Sequence, residues 1–461
     1  MQKLLSLSEK ISKYLIAAVL IIVPLLPKFP LIKIPGTYVA IRFEDVLILL
    51  LGLILIPKFI VDFKKIWKDR IVSSILIFFG VTFISLIAGA VITQSVELRM
   101  GILHWARRIE YIVPFLAAYL LIPRVKIKES VEFYFKILLI VVAIAFFYGL
   151  GQRYLHFPVI ITQNEQYSKG IALRWTPGAH INSTFAGHYD LSAFIVLVMP
   201  IFLGALFTLK GSLAKLFIAI PSGMGLWLLI NSISRTAQAA YLLAISVSLI
   251  FLKKFKGWVV VVSLSLIFMF MSSGLDARFT QAIKVIYEHF RTGEGFSYVP
   301  GFIIRADEVT FTVRDSVVAS PTPLPVKSLN DVSIAIRLNV EWPRAIRAFI
   351  KNPILGTGYS SIDLATDNDY LRMLGETGLL GFAAFVLIIL NIGKTFLKMF
   401  SIKEKLGSIE KSFLFGVMGG AVGIFATAFL IDLFEASKLA IIFWTLLGCS
   451  VNLIKSKLNE Q

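Results

Sequence analysis

"TDNDYLRMLGETGLLG" (366–381) runs directly into "FAAFVLIILNIG" (382–393). The first stretch holds Asp367, Asn368, Asp369, Arg372 and Glu376, while the second is apolar enough to lie in a membrane. On a helix Asp369, Arg372 and Glu376 share one face at i, i+3 and i+7, with Asp367 and Asn368 at its exposed start. Ionisable groups at the lip of a hydrophobic helix face an aqueous cavity or one another, because facing lipid costs several kcal/mol.

The rest of the chain is of the same kind. It has 461 residues, 57% hydrophobic and 16% charged, with mean hydropathy +0.81. Soluble domains are roughly 45–50% apolar and about 25% charged. Apolar runs near membrane-spanning length recur throughout. The opening run "YLIAAVLIIVPLL" is followed by "KFPLIKIPG" with no small-residue cleavage site, and reads as a retained first span. The expectation is an all-α polytopic membrane protein of about twelve transmembrane helices. They fall at roughly 14–27, 43–60, 71–92, 105–123, 131–151, 190–208, 213–231, 236–252, 257–274, 374–393, 412–432 and 438–454.

The net charge of +18 does not indicate nucleic acid, because the lysines gather in short clusters between apolar runs. "KKIWKDR", "RVKIK", "KKFK" and "KTFLKMFSIKEK" fall on one side, which holds more than twice the Lys and Arg of the other. The positive-inside rule then puts both termini in the cytoplasm. Two longer segments face outward, about 152–189 and about 275–373, the latter between spans nine and ten. The chain thus divides into helices 1–9 (1–274), a large outer loop (275–373) and helices 10–12 (374–461).

Within the loop, "YVPGFIIRADEVTFTVRDSVV" (298–318) alternates like a hairpin and "SPTPLP" (320–325) reads as an extended connector. "DVSIAIRLNVEWPRAIRAFIKNP" reads as an amphipathic helix over about 331–352, kinked at Pro343.

Several residues can carry chemistry. Arg235, in "NSISRTAQ", can hold a phosphate through paired N–H bonds, or snorkel from the interface to water. Arg337, Glu341 and Arg344, at i, i+4 and i+7, make either a fork for a diphosphate or a solvated face with an internal Arg–Glu pair. "LRWTPGAHINSTFAGHYDLSAF" (173–194) brings Arg174, His180, His188 and Asp190 to the head of span six, in binding or in capping roles. "GTGYSS" (356–361) lacks the Lys-Ser/Thr of a phosphate loop and reads as a turn before a membrane helix. No HExxH or Cys/His cluster occurs, and the single Cys449 lies inside an apolar run, so no metal site is expected.

Four segments, in order, resemble the O-antigen ligase/polymerase family of bacterial membrane glycosyltransferases. "NSTFAGHYDLSAF" is similar to the family's approach to a membrane helix, and "SISRTA" to its Ser-Arg-Thr/Gly segment. "IRLNVEWPRAIRAFIKNPILGTGYSS" resembles its Arg…Trp…Pro..Gly-x-Gly signature, and "DNDYLRMLGETGLLG" its His-Asn…Leu…Glu-x-Gly block. The resemblance covers about 180–395. It implies transfer of a glycan from a polyprenyl-diphosphate carrier to a sugar hydroxyl of a glycan or lipid-glycan acceptor, at the outer face of the cytoplasmic membrane, with neither nucleotide nor metal.

The same resemblance assigns phosphate binding to Arg235 and Arg337, with Arg344 beside them. Arg174, His188, Asn368 and Arg372 are expected around the substrate, and the base is one of Asp367, Asp369, Glu376 and His188, of which Glu376 matches the family's Glu. Where the family's ligases carry His before the Asn, this chain has Asp367, a departure that bears more on a ligase reading than on a polymerase one. A transporter and a non-catalytic envelope-glycan assembly protein are the rival readings. No internal repeat supports transport, and the polar groups collect on one side, not at the midplane.

Overall fold

The computed structural model describes residues 2–35, 40–161, 171–173, 175, 179–271, 336–362 and 365–460. Arg174, the 298–318 excursion, the 320–325 connector and the first residues of the amphipathic helix lie outside them.

The described chain is helical apart from two short antiparallel ribbons, β1 (Pro30–Lys33) with β2 (Ala40–Arg42) and β3 (Val159–Ile161) with β4 (Ile171–Leu173). The first helices are α1 (Gln2–Leu25), α2 (Phe43–Val61), the short α3 (Phe63–Trp67), α4 (Arg70–Val91), α5 (Leu98–Leu120) and α6 (Ile127–Tyr154). There follow α7 (His188–Thr208), α8 (Ser212–Asn231), α9 (Arg235–Phe251) and α10 (Phe255–Met271). Beyond residue 335 come α11 (Trp342–Lys351), α12 (Asp369–Ile402), α13 (Ser408–Thr427) and α14 (Ser437–Asn459).

Each expected span falls largely on a helix. Seven helices among the described residues are long and apolar enough to cross a membrane: α4, α6, α7, α8, α12, α13 and α14. The apolar helices α9 and α10 are shorter. The chain is thus a multi-pass, all-α membrane protein.

The central helices are apolar all round, as helices enclosed by others must be. In α7 the run Leu191–Ala205 is buried, and α14 is buried from Ser437 to Ile454. Glycines set their separations. A Cβ on Gly416 would lie 2.4 Å from Ile201 Cα, and one on Gly448 would lie 2.5 Å from the Phe115 carbonyl oxygen. Small residues at helix crossings let backbones approach, the usual means of association where lipid removes the hydrophobic drive between helices.

The glycine contacts also fix direction. Gly419 of α13 meets Ala244 and Ser248 of α9, while Gly423 meets Ala240 and Ala244, so the two helices run antiparallel. One turn further, the end of α13 comes level with the first turns of α9. Gly416 and Gly420 against Ile201 and Leu197 place the start of α7 at that same end.

The amphipathic segment carries a π-turn just ahead of Pro343. Arg337–Glu341 form a π-turn that leads into α11, with Trp342 N–H donating to the Arg337 carbonyl. Pro343 thus falls in the first turn of an α-helix, where its missing N–H costs nothing.

Candidate active site at the head of the broken helix

α12 begins at a tight cap. Asn368 Oδ1 accepts from the N–H groups of Tyr370 (3.1 Å) and Leu371 (3.0 Å), satisfying two of the donors that a helix start leaves open. Just before it Asp367 adopts a left-handed backbone (φ 48°), which Asp tolerates better than most residues.

α12 is not continuous. Gly378 has φ 65°, ψ −171°, a break inside the helix. Hydrogen bonds interrupted at the break are redirected to other segments. The carbonyls of Gly375, Glu376 and Thr377 accept from Thr357 N–H (3.0 Å), Gly358 N–H (2.8 Å) and Ser85 Oγ of α4 (3.3 Å). Leu379 and Leu380 donate to the Pro353 and Ile354 carbonyls at 2.8 and 3.1 Å. "GTGYSS" is therefore a clasp around the break, with Gly356 (φ 73°) and Gly358 (φ 90°) supplying the conformations it needs.

Around this head the charges form a ladder of alternating sign. At its outer rung Arg337, itself buried, donates from Nε (3.0 Å) and Nη2 (2.7 Å) to Asp367 Oδ2. Arg344 Nη2 donates to the Ala365 carbonyl at 2.7 Å, so two guanidinium groups grip the 365–367 loop. Asp432, in the α13–α14 loop, accepts from the N–H groups of Thr366 (2.7 Å) and Asn368 (3.0 Å). Arg372 lies 3.6 Å from Asp432 and 3.6 Å from Glu435, and donates to the Ile362 carbonyl. Glu435 also pairs with Arg108 of α5, which lies over the rings of Tyr111 and Tyr359.

The pairing has electrostatic consequences. Burial by itself would raise the Glu435 carboxyl, but Arg108 and Arg372 outweigh it and hold it down at about 2. Burial raises Asp367 above the ordinary carboxylate value even though Arg337 pulls the other way. Glu341 is lifted to about 7, by burial first and then by the charge of Asp367.

The residues singled out in the sequence fall into distinct places. Asp369, Arg372 and Glu376 do share a face and line one small cavity of about 50 Å³ with Arg108, Tyr359 and Glu435. That volume holds a few waters and is too small for a sugar ring. Both Asp369 oxygens accept from backbone, Oδ2 from the N–H of Leu433 (2.7 Å) and Oδ1 from that of Phe434 (3.2 Å). Asp369 thereby anchors the α13–α14 loop.

Arg235 is the first residue of α9, half-buried behind the Ser234 cap, at the same end of the bundle. His188 opens α7 and stacks on His180 with ring centroids 3.8 Å apart. Among the described residues no group of three or more His, Cys, Asp or Glu is disposed to hold a metal ion.

Asp432, Glu435 and Arg108 were not among the residues picked out as candidates from the sequence. Their signal was there, two carboxylates in "IDLFEAS" between apolar spans and an arginine at the start of span four. Nothing in the sequence says that these three meet Arg372.

The helical bundle thus carries a polar, arginine-containing junction at one end. Residues 220–386 match the family model described as O-Antigen ligase, which supports the resemblance of this segment to the O-antigen ligase/polymerase family. The match takes in Arg235, Arg337, Arg344 and the whole of 366–381, and leaves out Arg108, Asp432 and Glu435. No curated protein matches the chain.

Proposed function

We propose that the protein is a membrane glycosyltransferase that moves a glycan from a polyprenyl-diphosphate carrier to a sugar hydroxyl. The acceptor is another glycan or a lipid-linked glycan, as in surface-polysaccharide polymerisation or ligation. Both termini are cytoplasmic in this reading, twelve helices cross the membrane, and the head of α12 faces outward. The observation that carries it is the grip of Arg337 and Arg344 on the 365–367 loop, within the segment that matches the family.

The chemistry needs a charge-neutralising cradle more than a metal. A diphosphate is already a good leaving group, and planar guanidinium groups bind its oxygens in pairs. Arg337, Arg344 and Arg235 receive the diphosphate and stabilise the negative charge that grows on it as the anomeric C–O bond breaks. Asp367 is the counter-ion that keeps Arg337 aimed before the donor arrives. The incoming diphosphate competes for the same N–H groups and releases the carboxylate toward the acceptor. Asn368, Arg372, His188 and Arg174 border the sugar in this reading, and Glu376 acts on the ladder from beneath. The ladder below, fixed by Asp432, Glu435 and Arg108, keeps the head of α12 from rearranging under the added charge.

The test is transfer from a polyprenyl-diphosphate glycan by the full-length protein in detergent with EDTA present. Product length and acceptor identity are read for wild type, Arg235→Ala, Arg337→Ala and Asp367→Ala. A ladder of lengthening lipid-linked product, lost in the arginine variants, supports a metal-independent polymerase; a single addition to a different acceptor supports a ligase. No turnover over a panel of donors, with the arginine variants still functional in cells, overturns the reading in favour of transport or assembly.

A further inference from the structure

The junction is rich in carboxylates, yet nearly all are committed. Asp369 and Asp432 each accept two backbone N–H groups, and Glu435 is shared between Arg108 and Arg372. One oxygen of Asp367 takes both bonds from Arg337, and Glu376 lies in the small cavity below.

Glu341 is different. It closes the π-turn that begins at Arg337, and its Oε2 is buried with no hydrogen-bond partner among the described residues. The charged groups facing it are Arg337 and Arg344 from its own segment, and Asp367 and Asp432 from the loops packed against it. A buried carboxylate oxygen without a donor is costly, and the cost is relieved by a proton or by a hydroxyl that donates to it. Single π-turns within helices are rare and concentrate at functional sites.

We propose that Glu341 is a catalytic residue whose Oε2 receives the proton of the acceptor hydroxyl. The inference rests on the glycan-transfer reading above and deepens it. As the acceptor oxygen forms its bond to the anomeric carbon, the bond from that carbon to the diphosphate oxygen breaks. The electron pair leaves with the diphosphate, held by the arginines, and the acceptor's proton passes to Glu341, which becomes a neutral acid and later yields the proton to water. Asp367 holds Arg337 in place until the diphosphate displaces it, and its charge makes Glu341 a stronger base. A carboxyl titrating near 7 is suited to the task, half ionised at neutral pH and basic enough to drive the transfer.

The experiment compares wild type, Glu341→Gln and Glu341→Asp as full-length proteins in detergent, each checked for native thermal melting. It measures kcat and donor KM from pH 5 to 9 with a polyprenyl-diphosphate glycan and excess acceptor. Wild-type kcat is expected to rise with pH through an apparent pKa near 7. Glu341→Gln is expected to lose about 100-fold or more in kcat, the range of general-base contributions, and to lose that acidic limb with donor KM nearly unchanged. Glu341→Asp recovers part of the rate and keeps a limb. Wild-type turnover with a Gln variant that keeps its rate or its limb overturns the role of Glu341 and leaves the transfer reading standing. Absence of wild-type turnover overturns the transfer reading, and the role of Glu341 with it.

Discussion

Arg337 Nε and Nη2 both donate to one oxygen of Asp367, at 3.0 and 2.7 Å, across thirty residues of chain. The pair joins the amphipathic segment to the head of α12 before any substrate arrives. Because the geometry uses a fork, Arg337→Lys keeps the charge and loses the fork. Transfer by Arg337→Lys is expected to fall at least tenfold with thermal melting little changed, and by Arg337→Ala at least 100-fold with a lowered melting temperature, since Asp367 then loses its buried partner. Steady-state transfer assays on the purified variants check both.

Glu435 holds two guanidinium groups, the half-buried Arg108 and the buried Arg372. Glu435→Gln leaves Arg108 and Arg372 without their shared carboxylate and is expected to destabilise the protein by about 3–5 kcal/mol, the cost of breaking a buried pair from one side. The pH dependence has a definite sign. The folded carboxyl titrates at about 2 against an ordinary 4.5, so its contribution is complete above 4.5 and is lost as pH falls toward 2. Thermal melting in detergent between pH 6 and 3 should decline more steeply for wild type than for Glu435→Gln.

The break at Gly378 admits no side chain. A Cβ there would sit 2.4 Å from the Ile354 carbonyl oxygen, at a positive φ that L-residues resist. Gly356 meets the same obstacle, 2.5 Å from the Glu376 backbone. Gly378→Ala and Gly356→Ala are each expected to cost about 1–3 kcal/mol. Gly393, with nothing within 4 Å, should tolerate Ala. Melting temperatures of the three variants separate these cases.

Asp369 illustrates why a carboxylate in a matching motif need not be a base. Asp369→Ala strands two backbone N–H groups and is expected to lower stability by about 1–3 kcal/mol along with activity. Asp367→Ala should reduce activity with a smaller change in melting. Paired melting and transfer measurements distinguish an anchor from a member of the reacting surface.

The sequence by itself determined the membrane class, the positions of the helices and the shared face of Asp369, Arg372 and Glu376. All of these depend on local quantities: apolar run length, the 3.6-residue period and capping residues such as Asn368. It also carried the motifs that resemble the O-antigen ligase/polymerase family. The tertiary structure decided which charges meet. Arg108, Asp432 and Glu435 join Arg372 only because α5 and the α13–α14 loop pack against α12. The π-turn ahead of Pro343 is likewise visible only in the fold, and the orphaned oxygen of Glu341 exists only once its neighbours have chosen other partners. Pairing of charges across hundreds of residues is set by packing, and packing is not written in any local stretch of the chain.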